Sequence, residues 1–317
     1  MFNLTTLAGE PHEIKSHLAI FVVVAIAAIY AGSHLLSQRK ELAAAEPNNA
    51  VKYLQGLRAA EASRTEKPAG TPEPKAPVAD IATQFQMSQD YRVLFESLLQ
   101  SKEKSAGLYA AHILSLCTSL RTVKFDATPA MSDLQRKAQE LMTARCASFT
   151  PTELDGNRRL EIAKDPRTQG EWVDLKWRWA ELKTKDDPNR KALLETIFQT
   201  KDSLLLDWVG PTLLMSPDDT TSVKFNGEVD SRPFARSAYF AAWTAAACEA
   251  SESGCGFGDP FVVEACARDN TCLGSRQEVL RHHVETHYGK DALALYDGAV
   301  PKLASAIKSS DMAVFGL

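Results

Sequence analysis

Four cysteines, Cys248, Cys255, Cys266 and Cys272, follow one another with the spacing C-x6-C-x10-C-x5-C, and Cys117 and Cys146 stand upstream of them. Thiols in such a set can crosslink, hold a metal, or pack as small apolar side chains. Structural zinc takes cysteines in knuckles with about two to four residues between them, which neither pair matches. No CxxC redox motif and no CxxCH haem attachment occurs. Cys248 ends the alanine-rich run from Ala241 to Ala247, and Cys266 ends Phe261-Val-Val-Glu-Ala265. A helix stopping near either residue leaves a short loop that can return a second cysteine to the roughly 5.5 Å between α-carbons that a disulfide needs. The spacing therefore favours Cys248–Cys255 and Cys266–Cys272. Cys117 and Cys146, each late in its own predicted helix, would then staple a helical hairpin; other connectivities stay open.

Histidine supplies the next candidate chemistry. His283 and His287 are four apart, on one face of a predicted helix, with His282 beside them. The order HVETH does not place glutamate directly after the first histidine, as the HExxH zinc motif does. Next to Arg281 and Lys290 the cluster reads first as a solvated helix face, with His283 and His287 the pair able to chelate. His112 lies among alanines and reads as a packed, hydrogen-bonded core residue. Glu161, Glu171, Glu195 and Asp207 stand near tryptophans, where a buried carboxylic acid can act as general acid in glycan hydrolysis. Carboxylates on amphipathic helices usually face solvent, so no catalytic residue and no cofactor is assigned. Gly254-Cys-Gly-Phe-Gly258 has the glycines of a phosphate loop, but it follows a helix and lacks a Lys-Ser/Thr partner; it reads as a turn. With 36 basic against 40 acidic residues and no basic block with aromatic partners, nucleic acid is not an expected ligand.

These residues must be placed by helices. From Ile81 onward a small capping residue precedes proline at Thr128-Pro129, Thr150-Pro151, Asp165-Pro166, Asp187-Pro188 and Asp259-Pro260. The first residue accepts from orphan amides and proline suits the first helical turn. Thr150-Pro-Thr-Glu153 and Ser275-Arg-Gln-Glu278 read as capping boxes. Tyr91, Leu94, Phe95, Leu98 and Leu99 form one apolar stripe. Trp172, Leu175, Trp179 and Leu182 form another, with Lys176 and Arg178 off it. Leu293, Leu295, Leu303 and Ile307 mark a closing pair of helices. No alternating run persists long enough to predict a sheet. The expected body, residues 81–317, is all-α, about ten antiparallel helices stapled by disulfides. Trp172, Trp177, Trp179, Trp208 and Trp243 are read as core by default, with room for an exposed member to anchor an interface. Thr122-Val-Lys-Phe125 and Ser222-Val-Lys-Phe225 echo one another, which could mark a duplication or coincidence.

Ahead of the body, residues 1–17 form a short polar leader. Leu18–Leu36 is a run of nineteen mainly apolar residues without a formal charge, about 30 Å as a helix and so long enough to span a bilayer. A cleaved signal peptide is the rival reading. The leader carries Glu10 and Glu13 with only Lys15, unlike a basic n-region. Residues 37–80 mix Pro47, Pro68, Pro72, Pro74 and Pro77 with Ala, Glu, Lys and Thr, a composition suited to a flexible spacer. Arg39 and Lys40 follow the apolar run, which by the charge rule would leave the body in the cytoplasm. An even set of six cysteines points to an oxidising compartment. The expectation is an inner-membrane anchor with the body in the periplasm, the cytoplasmic orientation being the runner-up.

The segment Leu108-Tyr-Ala-Ala-His-Ile-Leu-Ser-Leu-Cys117 resembles the helix of a Sel1-like or tetratricopeptide-type repeat, without a regular repeat period. Ala242-Trp-Thr-Ala-Ala-Ala-Cys248, through Cys255, Cys266 and Cys272, and the closing Ala306–Phe315 are similar to exported, cysteine-paired helical proteins of proteobacteria. What the resemblance implies is a helical scaffold, without an active site. The expected function is a non-enzymatic scaffold that binds another envelope protein through a concave helical surface. The alternative is an envelope hydrolase acting on cell-wall glycan through a buried glutamate.

Overall fold

The computed structural model describes residues 80–122, 131–155, 170–182, 188–215, 222–251, 255–256 and 258–317. The apolar run 18–36 and the spacer up to residue 79 lie outside them. No helix among the described residues is long and apolar enough to cross a membrane.

Among the described residues there are ten α-helices: α1 (Ile81–Met87), α2 (Tyr91–Gln100), α3 (Ala106–Thr122), α4 (Asp133–Ala147), α5 (Glu171–Glu181), α6 (Pro188–Gln199), α7 (Ser203–Leu214), α8 (Ala235–Ala250), α9 (Pro260–Asp269) and α10 (Arg276–Ser309). Side-chain caps set several starts. Asp80, Asp90, Ser132, Asp202, Asp259 and Ser275 each accept from a backbone N–H in the first turn of the helix that follows. At Thr150 the expected box forms, Thr150 N–H to Glu153 Oε2 at 2.8 Å and Glu153 N–H to Thr150 Oγ1 at 3.3 Å. It closes a turn there, however, and not an α-helix among the described residues. The prolines at 129 and 166 lie outside them.

One expectation needs correction. Val223–Phe225 (β1) and Glu228–Asp230 (β2) pair antiparallel, so the body is mostly helical but carries a hairpin. Asn226 (φ 53°) and Gly227 (φ 79°) turn it; positive φ at both loop positions matches the right-handed twist of the flanking strands. Ser222-Val-Lys-Phe225 thus leads into β1, while residues 123–125 of its echo lie outside the described set. The hairpin docks through its tip, where Asn226 N–H donates to Val314 O at 2.9 Å, on the closing 3-10 turn Met312–Phe315.

Three apolar clusters underlie the fold. The largest joins α5, α6, α7, α8, α10 and the C-terminal turn around Trp243. The second holds α1–α3 with Phe149 and Leu154, and the third holds α4, α9 and Val279. Trp243 is buried at the centre of the first, its ring set between Phe198 and Phe315 and its Nε1–H donating to Leu206 O at 2.9 Å. Gly210 makes this approach possible, because a Cβ there would overlap the indole.

The closing helix pair is real and sharp. Arg276–Ser309 runs as helix throughout except at Gly289 (φ 81°, ψ −174°). In a straight helix residues 281 and 297 would stand about 24 Å apart, yet Arg281 Nη2 lies 2.9 Å from Asp297 Oδ2, and Tyr296 OH donates to Gln277 O at 3.0 Å. The two arms therefore fold back on one another, with Gly289 at the tip.

The disulfides are those expected from the spacing. Cys117–Cys146 joins α3 to α4, Cys248–Cys255 ties the end of α8 to the following loop, and Cys266–Cys272 closes the end of α9, with α-carbons 5.4, 5.6 and 4.3 Å apart. Beside Cys146, the fully buried Arg145 donates from Nε to Ser88 O (2.9 Å) and from Nη2 to Gln86 O and Gly258 O. One side chain thus gathers the end of α1, α4 and the loop before α9.

Candidate functional site

Helix α7 places two aspartates. Asp202 caps its first turn: Oδ1 accepts Leu205 N–H at 2.9 Å and Oδ2 accepts Tyr109 OH at 2.7 Å. Burial raises the Asp202 carboxyl above its ordinary range, against the Tyr109 hydrogen bond that lowers it. A turn and a half further on, Asp207 Oδ2 accepts from Arg276 Nη1 at 2.6 Å. The same guanidinium donates to Asp259 Oδ2 at 2.7 Å, while Asp259 Oδ1 caps α9 through Phe261 N–H. Arg276 is itself held by its backbone, whose N–H donates to Cys255 O at 2.9 Å. The Cys248–Cys255 crosslink thereby sets the register of the ion cluster.

Two carboxylates around one guanidinium leave the cluster with surplus negative charge in a dry setting. Burial pushes the Asp207 carboxyl up to about 6; Arg276 opposes this, and Asp259 and Asp202 add to it. Asp207 Oδ1 is buried without a hydrogen-bond partner among the described residues. His112, on α3, lies with its ring edge against Phe85. Burial lowers its imidazole to about 4, with Arg276 and then Lys176 adding to the effect, so the ring is neutral at pH 7. It is half-buried and packed on an aromatic ring, and the hydrogen bond expected for it is not found among the described residues.

Above this buried centre is an aromatic face. Lys176 Nζ lies 3.4 Å from the centroid of the Trp208 ring and 5.5 Å from that of Trp177, and burial lowers its ammonium from the usual range. Trp177 and Trp208 are 55% and 48% exposed, and Phe261, 39% exposed, lies over Arg276 at 5.7 Å. The default reading of the tryptophans as core therefore holds for Trp179 and Trp243, for Trp172 in part, and fails for these two. Trp177 falls on the outer side of α5, and Trp208 on the side of α7 opposite Leu206 and Gly210. A cleft of about 430 Å³, which none of these face residues lines, is bounded by Asp80, Lys102, Lys104, Trp172, Lys201 and Asp202, among others.

The other candidates take ordinary places. Glu171 is exposed and paired with Lys104 at 2.8 Å. Glu195 is half-buried, and Glu161 lies outside the described residues. Among the described residues no glutamate is buried; the buried carboxylates are Asp202 and Asp259, both used in caps. Cys248, Cys255 and Asp259 bring three ligand-type atoms within 4.8 Å of one another, but both sulfurs are committed to the crosslink. The rings of His283 and His287 lie 4.4 Å apart on the first arm of α10, both exposed, while His282 Nε2 approaches Thr286 Oγ1 at 3.5 Å.

Sequence reasoning missed the Asp207–Arg276–Asp259 cluster because its members are 69 and 17 residues apart. Asp259 was legible as a cap, and Arg276 sat within the capping box at 275–278. Neither signal speaks of their contact. Compared with family models, curated proteins and solved structures, the chain matches none of them.

Proposed function

We propose that this protein is a non-enzymatic scaffold of the cell envelope, anchored in the inner membrane by residues 18–36, with its helical body in the periplasm. The body binds another polypeptide through the face formed by Trp177, Lys176, Trp208 and Phe261. The observation that carries the reading is Lys176: its partly buried ammonium holds two half-exposed indoles in place. Large aromatic side chains fixed in this way contribute disproportionately to binding. Three disulfides in the body suit an oxidising compartment, and the apolar run supplies the anchor.

The chemistry of the face specifies its occupant. Lys176 is the cation this face presents, since Arg276 is committed to two aspartates; an ammonium suits a carboxylate, and the open indole faces accept apolar side chains. The partner is therefore an acidic segment flanked by apolar residues. Selection from a displayed peptide library on the full-length protein in detergent tests this. Acidic, apolar-flanked peptides are expected, and Trp177→Ala/Trp208→Ala should lose them while unfolding at nearly the same denaturant concentration. Selection of no sequence class, or peptides retained by the double variant, would sink the reading. Concentration-dependent self-association lost in the same variant would replace it with a second copy of this chain.

A further inference from the structure

We infer that His283 and His287 form an exchangeable two-imidazole site for a divalent transition metal (zinc, nickel or copper) at the tip of the α10 hairpin. The two residues are one helical turn apart, so their side chains leave the same face of the first arm. Their rings are in contact, with centroids 4.4 Å apart and planes inclined by 48°. Imidazole nitrogen suits these three metals, and a zinc–nitrogen bond of about 2.0–2.1 Å lets one ion bridge two rings at this separation after small side-chain rotations. Both rings are exposed, and neither carries a hydrogen bond among the described residues, so binding displaces no protein contact.

The surroundings define what kind of site this is. His282, next in sequence, is directed to Thr286 instead. Tyr288 packs edge-on to both rings, with centroids 6.0 and 6.4 Å away, and Gly289 then turns the chain, so the pair sits at the last turn of its arm. Burial and then His287 disfavour a proton on His283, which leaves its ring neutral and able to ligate, while Asp269, at the end of α9, acts in the opposite sense. Structural zinc uses four protein ligands and catalytic zinc about three. Two leave at least half of the positions to water, so the ion exchanges freely and does not hold the fold together. An open coordination position also admits a ligand from another molecule.

The test uses the full-length protein in detergent, carrying a tag without histidine and stripped with chelator. Calorimetric titration with zinc or nickel is expected to give one ion per chain. His283→Ala and His287→Ala should each weaken binding by more than the roughly 10- to 100-fold that follows loss of an outer-shell partner; His282→Ala should leave it intact. With copper, electron paramagnetic resonance should show two coordinated nitrogens in the wild type and not in His283→Ala/His287→Ala. Circular dichroism checks that the variants keep their helix content. Absence of binding heat together with absence of the nitrogen signature overturns the site. Binding that survives in the double variant, or disappears in His282→Ala, overturns it too. None of these outcomes bears on the aromatic face, which lies on other helices.

Discussion

His112 and Asp207 should oppose one another in the acid stability of this protein. His112 has an ordinary value of 6.5 and is held at about 4 in the fold by burial, Arg276 and Lys176. Its contribution is complete above pH 6.5 and is withdrawn as pH falls towards 4, because the unfolded chain takes up the proton first. Asp207 has an ordinary value of 3.8 and is raised to about 6, by burial with Asp259 and Asp202, against Arg276. Its contribution is complete below pH 3.8 and is lost as pH rises through about 6. Each displacement corresponds to on the order of 3 kcal/mol, and the signs are opposite over the same window. Near pH 5 each group contributes a slope of about 1.4 kcal/mol per pH unit, and in the wild type the two cancel. Urea midpoints between pH 4 and 7 for the wild type, His112→Gln and Asp207→Asn provide the assay. Other carboxylates titrate alike in all three and drop out of the differences. Relative to wild type, Asp207→Asn should become steeper, losing stability faster as pH falls, while His112→Gln should shift by a similar slope in the opposite direction. Profiles parallel to the wild type, or two shifts of one sign, would refute the placement of His112 and Asp207 around Arg276.

Gly210→Ala should destabilise by about 1–3 kcal/mol even though alanine is the better helix former by about 1 kcal/mol, because its Cβ overlaps the Trp243 indole and overpacking costs about 1–3 kcal/mol in addition to the strained Trp243–Leu206 hydrogen bond. A raised urea midpoint would show that helix propensity wins, and Trp243→Phe should recover part of the loss. Alkylation of protein from intact cells, followed by mass spectrometry, should find all six cysteines blocked before reduction. Six free thiols would return the body to the cytoplasmic orientation. Breaking Cys117–Cys146, which spans 29 residues, should cost about 3.6 kcal/mol, against about 2.3 kcal/mol for the pairs spanning 7 and 6; equal losses in urea unfolding would argue against the loop-entropy account.

What was legible in the sequence was what acts locally. Cysteine pairs six and seven residues apart declare themselves once a helix end is recognised between them, and Asp259-Pro260 or Ser275–Glu278 announces a helix start through its own hydrogen bonds. Of the stripe Tyr91, Leu94, Phe95, Leu98 and Leu99 the first four are buried and Leu99 is half-buried, since a helix in contact with one partner layer needs only one apolar side. Asn226-Gly227 was an equally local signal. Its strands are three residues each, too short for alternation to stand out, so the turn itself was the thing to read. Lys176 shows the other limit. Periodicity placed it on the polar side of α5, which is right for that helix considered alone, but α7 brings Trp208 across and turns a solvated lysine into the centre of an aromatic face. Arg276 is the same case with charge: its two aspartates come from α7 and from the cap of α9, and only the packing of three helix ends brings them together. The Lys176 face and the Asp207–Arg276–Asp259 cluster beneath it both depend on where α7 lies. The fit of Gly210 against Trp243 fixes α7 on α8, and a residue without a side chain thereby positions a surface that it does not touch.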